Sequence, residues 1–322
     1  MLKIFSIIFA GFLIQQSTAV AGPLGTVPTI HEQNLEVLLD SRSDLWTSPY
    51  TYKNSPVRIS GGSIRIPLLH TESWAASALL YLEELNLGRA DFQLGDQSVF
   101  IANSLSNQIF GFGVRKNFAD GGSMSVFAAY ATASDSPWAS PRNNYFYGAL
   151  IYRTGKIENH SWLLGIDQSG NRGLYNGKPF PYFGMTYELE DKTISFGFPY
   201  VKVDWTFKED WKGQFFTTPF GTNLRVSKDM GDRTTIGAYT AFTVRSFLLD
   251  ARIDEEDRLY YQEILAEAYL TRDVTESTQV TFALGGSGDR RIYQTDRLYH
   301  PDAKTQSIKA DLYGRLAVEF RL

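Results

Sequence analysis

The C-terminal stretch Leu312-Tyr-Gly-Arg-Leu-Ala-Val-Glu-Phe-Arg-Leu322 divides into two faces at a period of two. Leu312, Gly314, Leu316, Val318, Phe320 and Leu322 fall on one side, and Tyr313, Arg315, Ala317, Glu319 and Arg321 on the other. A helix would scatter these residues around its axis, whereas a strand turns alternate side chains to opposite faces. One apolar and one charged face is the pattern of a membrane barrel strand, with lipid outside and a polar lumen inside.

The same period recurs upstream. Val201, Val203, Trp205 and Phe207 alternate with Lys202, Asp204, Thr206 and Lys208, and Met124, Val126, Ala128 and Tyr130 share a face. Phe110-Val114 and Val280-Leu284 alternate likewise. Turn signals such as Asp120-Gly121-Gly122, Asn176-Gly177 and Gly285-Gly286-Ser287-Gly288 separate the runs. Thirteen strand windows result: 57–68, 74–87, 106–118, 122–133, 144–155, 159–168, 180–190, 193–208, 211–227, 232–247, 259–272, 277–285 and 312–322. Ser73–Gly88 and Arg258–Arg272 also fit a helical face, and their neighbours decide for strands. Because single-chain barrels prefer even counts, one window is spurious or a strand near Leu35–Leu39 joins the sheet. The expected fold is all-β, a transmembrane antiparallel up-and-down barrel of about 12 strands, with 10 to 14 as the range.

The chain has 322 residues, 43% hydrophobic, 14% aromatic and without cysteine. No disulfide, thiolate metal site, cysteine nucleophile or lipid-anchoring cysteine is available. A net charge of −4 without a basic run argues against a nucleic-acid partner. Lys3, the apolar stretch Ile4–Ile14 and Ala19-Val20-Ala21 read as a secretory signal over 1–21. Residues 22–55, rich in Pro and Ser, read as an N-terminal extension, and 56–322 as the barrel. A mean hydropathy of −0.22 fits strands whose two faces average out.

A periplasmic β-sandwich that binds carbohydrate or a protein partner would also alternate. Long runs, and aromatics near their ends, favour the membrane instead. Trp46, Tyr50, Trp138, Tyr145, Trp162, Tyr182, Trp211 and Tyr260 read as interfacial girdle residues.

Pro181–Tyr187, Thr193–Pro199 and Val201–Phe207 together resemble a family of uncharacterised Gram-negative outer-membrane β-barrels, catalogued as a domain of unknown function. The shared features are a proline-led strand with an inner glycine, a second ending in Phe-Pro, and a third reaching an aromatic. Tyr260–Leu270 and Val280–Arg291 are similar to it as well, so the likeness spans 57–322. It implies an outer-membrane barrel inserted by the barrel-assembly machinery, and it supplies no catalytic residue. Outer-membrane strands usually end in an aromatic, whereas this chain ends Phe320-Arg321-Leu322.

No local pattern carries catalysis. His31, His70, His160 and His300 are dispersed and form no zinc spacing. The sharpest enzyme reading is a lipid hydrolase built on His160 and Ser169. Nine residues along one strand separate them by about 30 Å, however, against the ~3 Å a nucleophile and base require. Glu263 and Glu267 share a face but lie about 13 Å apart, beyond glycosidase range. Asp254-Glu255-Glu256-Asp257 reads as a solvated loop. Neither a cofactor nor a metal is expected. The polar lumen is expected to be lined by Arg58, Arg65, Arg115, Lys202, Asp204, Glu263, Glu267, Arg315, Glu319 and Arg321, and their mixed sign argues against strong ion selectivity. The expectation is an outer-membrane barrel of structural or narrow-pore type. Its partners are membrane lipid, the assembly machinery and small solutes.

Overall fold

The computed structural model describes residues 34–45, 57–88, 91–94, 97–101, 104–300 and 303–322. The signal reading over 1–21, His31, and the girdle candidates Trp46 and Tyr50 lie outside them. In chain order the strands begin with β1 (Glu36–Asp44), β2 (Arg58–His70) and β3 (Trp74–Asn86). A small hairpin of β4 (Asp91–Leu94) and β5 (Gln97–Phe100) follows. Next come β6 (Leu105–Asn117), β7 (Ser123–Ser134), β8 (Asn144–Arg153), β9 (His160–Ser169) and β10 (Pro179–Glu188). Four short strands succeed them: β11 (Lys192–Phe198), β12 (Val201–Lys208), β13 (Trp211–Thr218) and β14 (Gly221–Asp229). The chain finishes with the long β15 (Thr234–Phe247), β16 (Arg258–Asp273) and β17 (Thr278–Thr295), the brief β18 (Thr305–Ile308), and β19 (Asp311–Arg321).

Each large strand pairs antiparallel with its neighbour, and β19 pairs with β1 from Asp44↔Tyr313 to Glu36↔Arg321, which closes the sheet. The result is a single closed up-and-down barrel rather than two stacked sheets, and the β4–β5 hairpin stands apart from it. Both helix-compatible segments are strands, β3 and β16.

The barrel has 16 strands, not about 12. Two windows each conceal a hairpin. The run 193–208 breaks at Pro199-Tyr200, and 211–227 breaks at Pro219-Phe220. Neither turn carries the Gly, Asn or Asp that marks a tight reversal. Their aromatic residues are buried instead: Tyr200, 6% exposed, belongs to the apolar cluster of the lumen wall with Phe180 and Tyr182, and Phe220, 5% exposed, packs with Tyr260 and the loop residue Leu298. The remaining strand is β1, which falls inside the stretch read as an N-terminal extension, so the barrel starts at Glu36 rather than at residue 56.

The two ends differ. Turns 71–73, 118–122, 154–159, 189–191, 209–210, 230–233 and 274–277 are short, and β1 begins and β19 finishes at that end. The other end has the long connections 45–57, 87–104, 135–143, 170–178, 248–257 and 296–310, with the two-residue turns Pro199-Tyr200 and Pro219-Phe220 as its exceptions. Short turns on one side and long loops on the other are the polarity of an outer-membrane barrel, with the short turns periplasmic. The wall is also uneven in height: β11 to β14 have 7 to 9 residues, while β15, β16 and β17 have 14, 16 and 18.

Alternation assigns the faces. On β7, Ser123, Ser125, Phe127 and Ala129 are buried, and Met124, Val126, Ala128 and Tyr130 are exposed. Phe112, Leu150, Leu164, Phe282 and Leu284 likewise face outward, forming an apolar belt around the sheet. Trp162 and Trp211 stand on this outer face, whereas Tyr145, Tyr182 and Tyr260 are turned into the protein and are not girdle residues. Leu284, 67% exposed in mid-strand, tests the belt. Leu284→Arg is expected to lower stability by about 2–4 kcal/mol in lipid vesicles, the cost of a cation near the bilayer midplane. The shift of the unfolding midpoint in urea measures it.

Candidate functional site

The inward face of β1 is charged at nearly every position: Glu36, Asp40, Arg42 and Asp44, with Leu38 between. It anchors a column of ion pairs along one side of the lumen. Arg65 Nη2 reaches Glu36 at 2.9 Å near the short-turn end. Higher up, Arg315 donates to both oxygens of Asp40 at 3.0 Å and to Glu267 at 2.7 Å, while the Tyr313 hydroxyl donates to Glu267 at 3.0 Å. Glu263 is the hub. It accepts Arg42 Nη2 on both oxygens at 2.7 Å, Arg245 at 3.3 Å and the Tyr261 hydroxyl at 3.1 Å, and Arg290 lies 3.9 Å away. Arg290 also forks onto Asp44 at 2.6 and 2.7 Å. Arg245 reaches across from β15 to Glu83 on β3 at 3.1 Å, a pairing of strands far apart in the sheet. Glu263 is wholly buried and Arg42 is 5% exposed, so this side of the lumen is packed and dry.

The long-loop mouth is closed by the hairpin of β15 and β16, which crosses it. Leu248 N donates to Ala133 O on β7 at 2.6 Å, eight places around the sixteen-strand ring. Asn143 Nδ2 donates to Asp250 at 3.0 Å, and Asp250 N donates to Asp135 at 3.0 Å. The Arg252 guanidinium donates to the Arg142 and Leu249 carbonyls and to Asn143. Burial, with Arg142 adjacent, holds Arg252 below the usual arginine pKa. Both faces of the hairpin are covered. Phe247 and Leu259 pack with Val57, Leu85, Phe92 and Val99, which draws the β4–β5 hairpin into the mouth. On the opposite face Val244 and Tyr260 pack with Phe220, Tyr293 and Leu298.

The remaining lumen wall, β6 to β14, is different. Phe127, Tyr147, Phe180 and Tyr182 form an apolar patch on its upper part. There Asp167 accepts from Arg172 and from the Tyr182 hydroxyl at 2.8 Å, with Arg172 over the Phe180 ring. Along β11 to β14 the inward side chains are reached by water. Lys202 and Asp204 form a pair at 2.6 Å with 23% and 29% of their side chains exposed, and Gln214 donates to Asp204 at 2.7 Å. Arg225 lies over the Tyr269 ring at 5.0 Å and the Tyr239 ring at 5.7 Å. Gly237, opposite Tyr269, makes that stack possible, since a Cβ there would sit 2.5 Å from the Tyr269 ring.

The ten residues read as lumen lining separate in the structure. Arg65, Glu263, Glu267, Arg315 and Glu319 are buried in the ion-pair column or beside it, and Arg321 bonds Glu319 at the short-turn end. Arg115, Lys202 and Asp204 belong to the opposite wall. Arg58 does not join them: it alternates with the buried Ile59 and is exposed on the outer face near the loops. Arg58 and Arg65 are seven apart, an odd interval that puts them on opposite faces of one strand. Sequence reading missed Asp40, Arg42, Asp44, Glu83, Arg245 and Arg290; the charged alternation of β1 was the available signal for the first three.

The hydrolase candidates do not meet. His160 begins β9 and lies 5.8 Å from the Tyr187 ring, while Ser169 ends the same strand and accepts from Asn171 N. Glu263 and Glu267 are held by separate arginines. Among the described residues no group of three or more His, Asp or Glu side chains converges as a metal site.

No family model matches the chain, and no curated protein does. Solved structures are similar to it in architecture. An outer-membrane channel from Pseudomonas putida F1 aligns at 9% identity over 91% of this chain and 98% of that one, with a TM-score of 0.38. The Pseudomonas putida toluene transporter TodX aligns at 9% identity over 89% of this chain and 88% of that one, with a TM-score of 0.34. The outer-membrane phospholipase A of Escherichia coli aligns at 9% identity over 91% of this chain and 98% of that one, with a TM-score of 0.29. These likenesses transfer no activity to this chain.

Proposed function

We propose that this protein is an outer-membrane barrel that passes small solutes along a narrow aqueous channel beside β11 to β14, gated at the loop end by the β15–β16 hairpin. One observation carries the reading. The lumen is packed on the β1 side, yet the inward polar side chains of β11 to β14 remain open to water inside an apolar belt. A barrel that served only as a scaffold has no use for such a one-sided wet wall, and a lumen lined by polar side chains is how barrels conduct. On this reading residues 1–21 are an export signal removed before the barrel-assembly machinery inserts the chain, and the protein performs no chemistry on what it passes.

Purified barrel, identified by a heat-modifiable gel shift, is expected to give discrete conductance steps in planar bilayers. A correctly folded barrel that gives no steps, even after residues 250–255 of the hairpin loop are deleted, would overturn the transport reading.

A further inference from the structure

The two lumen walls differ in charge as well as in wetness, and the overall balance of the lumen conceals it. On the wall from β6 to β14, register fixes which charged residues face inward. Arg115 stands opposite Ala75 and Ser125, and Arg153 opposite Ser123 and Leu163, all buried. Lys202 stands opposite Ser195 and Phe216, Lys212 opposite Ser227, and Arg225 opposite Gln214 and Tyr239. Five cations therefore face inward along this wall. Four acids accompany them, and two are taken by other cations: Asp167 by Arg172, and Glu188 by Lys156 at 2.5 Å at the short-turn rim. Asp204 is held by Lys202 and Gln214, and Asp229, opposite Thr235 at the short-turn end of β14, accepts from Gly231 N, so cations still outnumber acids on this wall.

The cations are also near one another across the wet space. Arg153 acts electrostatically on Arg115, on Lys202 and on Tyr200. Arg115, Lys202, Lys212 and Arg225 are half-buried and Arg153 is exposed, so their charges reach lumenal water. The acids of the lumen are concentrated on the packed wall, where Glu36, Asp40, Asp44, Glu83, Glu263 and Glu267 are committed to buried arginines. An ion moving through the barrel meets the wet wall, not the packed one.

We infer that the channel is anion-selective and that its solutes are small anions, carboxylates or inorganic anions, drawn in by the Arg115–Arg153–Lys202–Lys212–Arg225 wall. Fixed charge of one sign beside a low-dielectric wall concentrates the opposite ion, and rings of Arg and Lys are the usual lining of anion pores. The inference rests on the transport reading above and names its solute class.

Reversal potentials across a KCl gradient test it in the full-length barrel. Chloride is expected to permeate about threefold or more better than potassium at low salt, where fixed charges are least screened. Arg153→Glu with Lys212→Glu is expected to bring the ratio to unity or below, and Arg153→Lys with Lys212→Arg to keep it. Both double variants are first checked for the heat-modifiable shift. A wild-type channel with no chloride preference, or a ratio unmoved by the glutamate pair, overturns the anion inference and leaves the transport reading standing. Folded barrel without conductance overturns the transport reading, and the selectivity falls with it.

Discussion

Glu263→Leu is expected to destabilise the folded barrel by about 3–5 kcal/mol, the penalty for leaving buried charge without its partner. The effect centres on Arg42. Arg245 keeps Glu83 and Arg290 keeps Asp44, but among the described residues Glu263 is the only carboxylate paired with Arg42, which would be left against the Tyr313 ring alone. Glu263→Gln, which retains an acceptor, is expected to lose less. Replacing both members, Arg42→Met with Glu263→Leu, is expected to recover much of the loss, because removing a buried pair together avoids the stranded charge. The exposed pair Lys156–Glu188 sets the contrast: with half of each side chain in water, Glu188→Gln is expected to change stability by no more than about 1 kcal/mol. Urea midpoints followed by the loss of the heat-modifiable band rank the four variants. A single variant Glu263→Leu as stable as wild type would show that the column does not hold the barrel together.

Asp250→Ala with Arg252→Ala is expected to raise channel open probability by roughly 150-fold, on the view that three hydrogen bonds at ~1 kcal/mol each, to Arg142 and Asn143, are lost from the closed state. These side chains bind the crossing hairpin to the loop between β7 and β8, and both partners stay intact when the hairpin swings away. The cysteine-free background permits the converse experiment. Ala133→Cys with Leu248→Cys places thiols on two residues joined by a backbone hydrogen bond of 2.6 Å, a contact at which a disulfide can be tested. Oxidised, this variant is expected to stay shut; reduced, to recover the wild-type current. Single-channel recording distinguishes the states, and a current indifferent to both changes would remove the hairpin as the gate.

The barrel was legible wherever one strand face met lipid and the other met polar groups. β7, β12 and β19 show that alternation in their residues, and their faces in the structure follow it. β1 was legible only in its first half, where Leu35–Leu39 marked a possible strand, because its outer face, Val37, Leu39, Ser41 and Ser43, is too polar in its second half to read as lipid-facing. β3 was ambiguous because Leu79 and Leu85 point inward while Leu82 points outward, so apolar residues on both faces blur the period. The hairpins at Pro199-Tyr200 and Pro219-Phe220 escaped notice because burial, not solvation, selected their turn residues. Part of the site was visible residue by residue, since charge on an inner strand face marks the lumen. Which charges meet was not visible: Arg42 and Glu263 are 221 residues apart, and Arg315 and Asp40 are 275 apart. Only closure of the sheet brings them together, and the division into a packed acidic wall and a wet basic wall emerges from those pairings.

The low wall bears on the surrounding bilayer. A strand of about eight residues at ~3.3 Å each, tilted near 45°, rises only about 19 Å, short of the ~25 Å apolar band usual for such barrels. Lipid beside β11 to β14 must compress to keep its chains covered, while beside β15 to β17 it need not. The barrel thus sits in a lopsided lipid collar, thinnest alongside its wet wall, so membrane thickness becomes a mechanical input to the side of the molecule where solutes would travel.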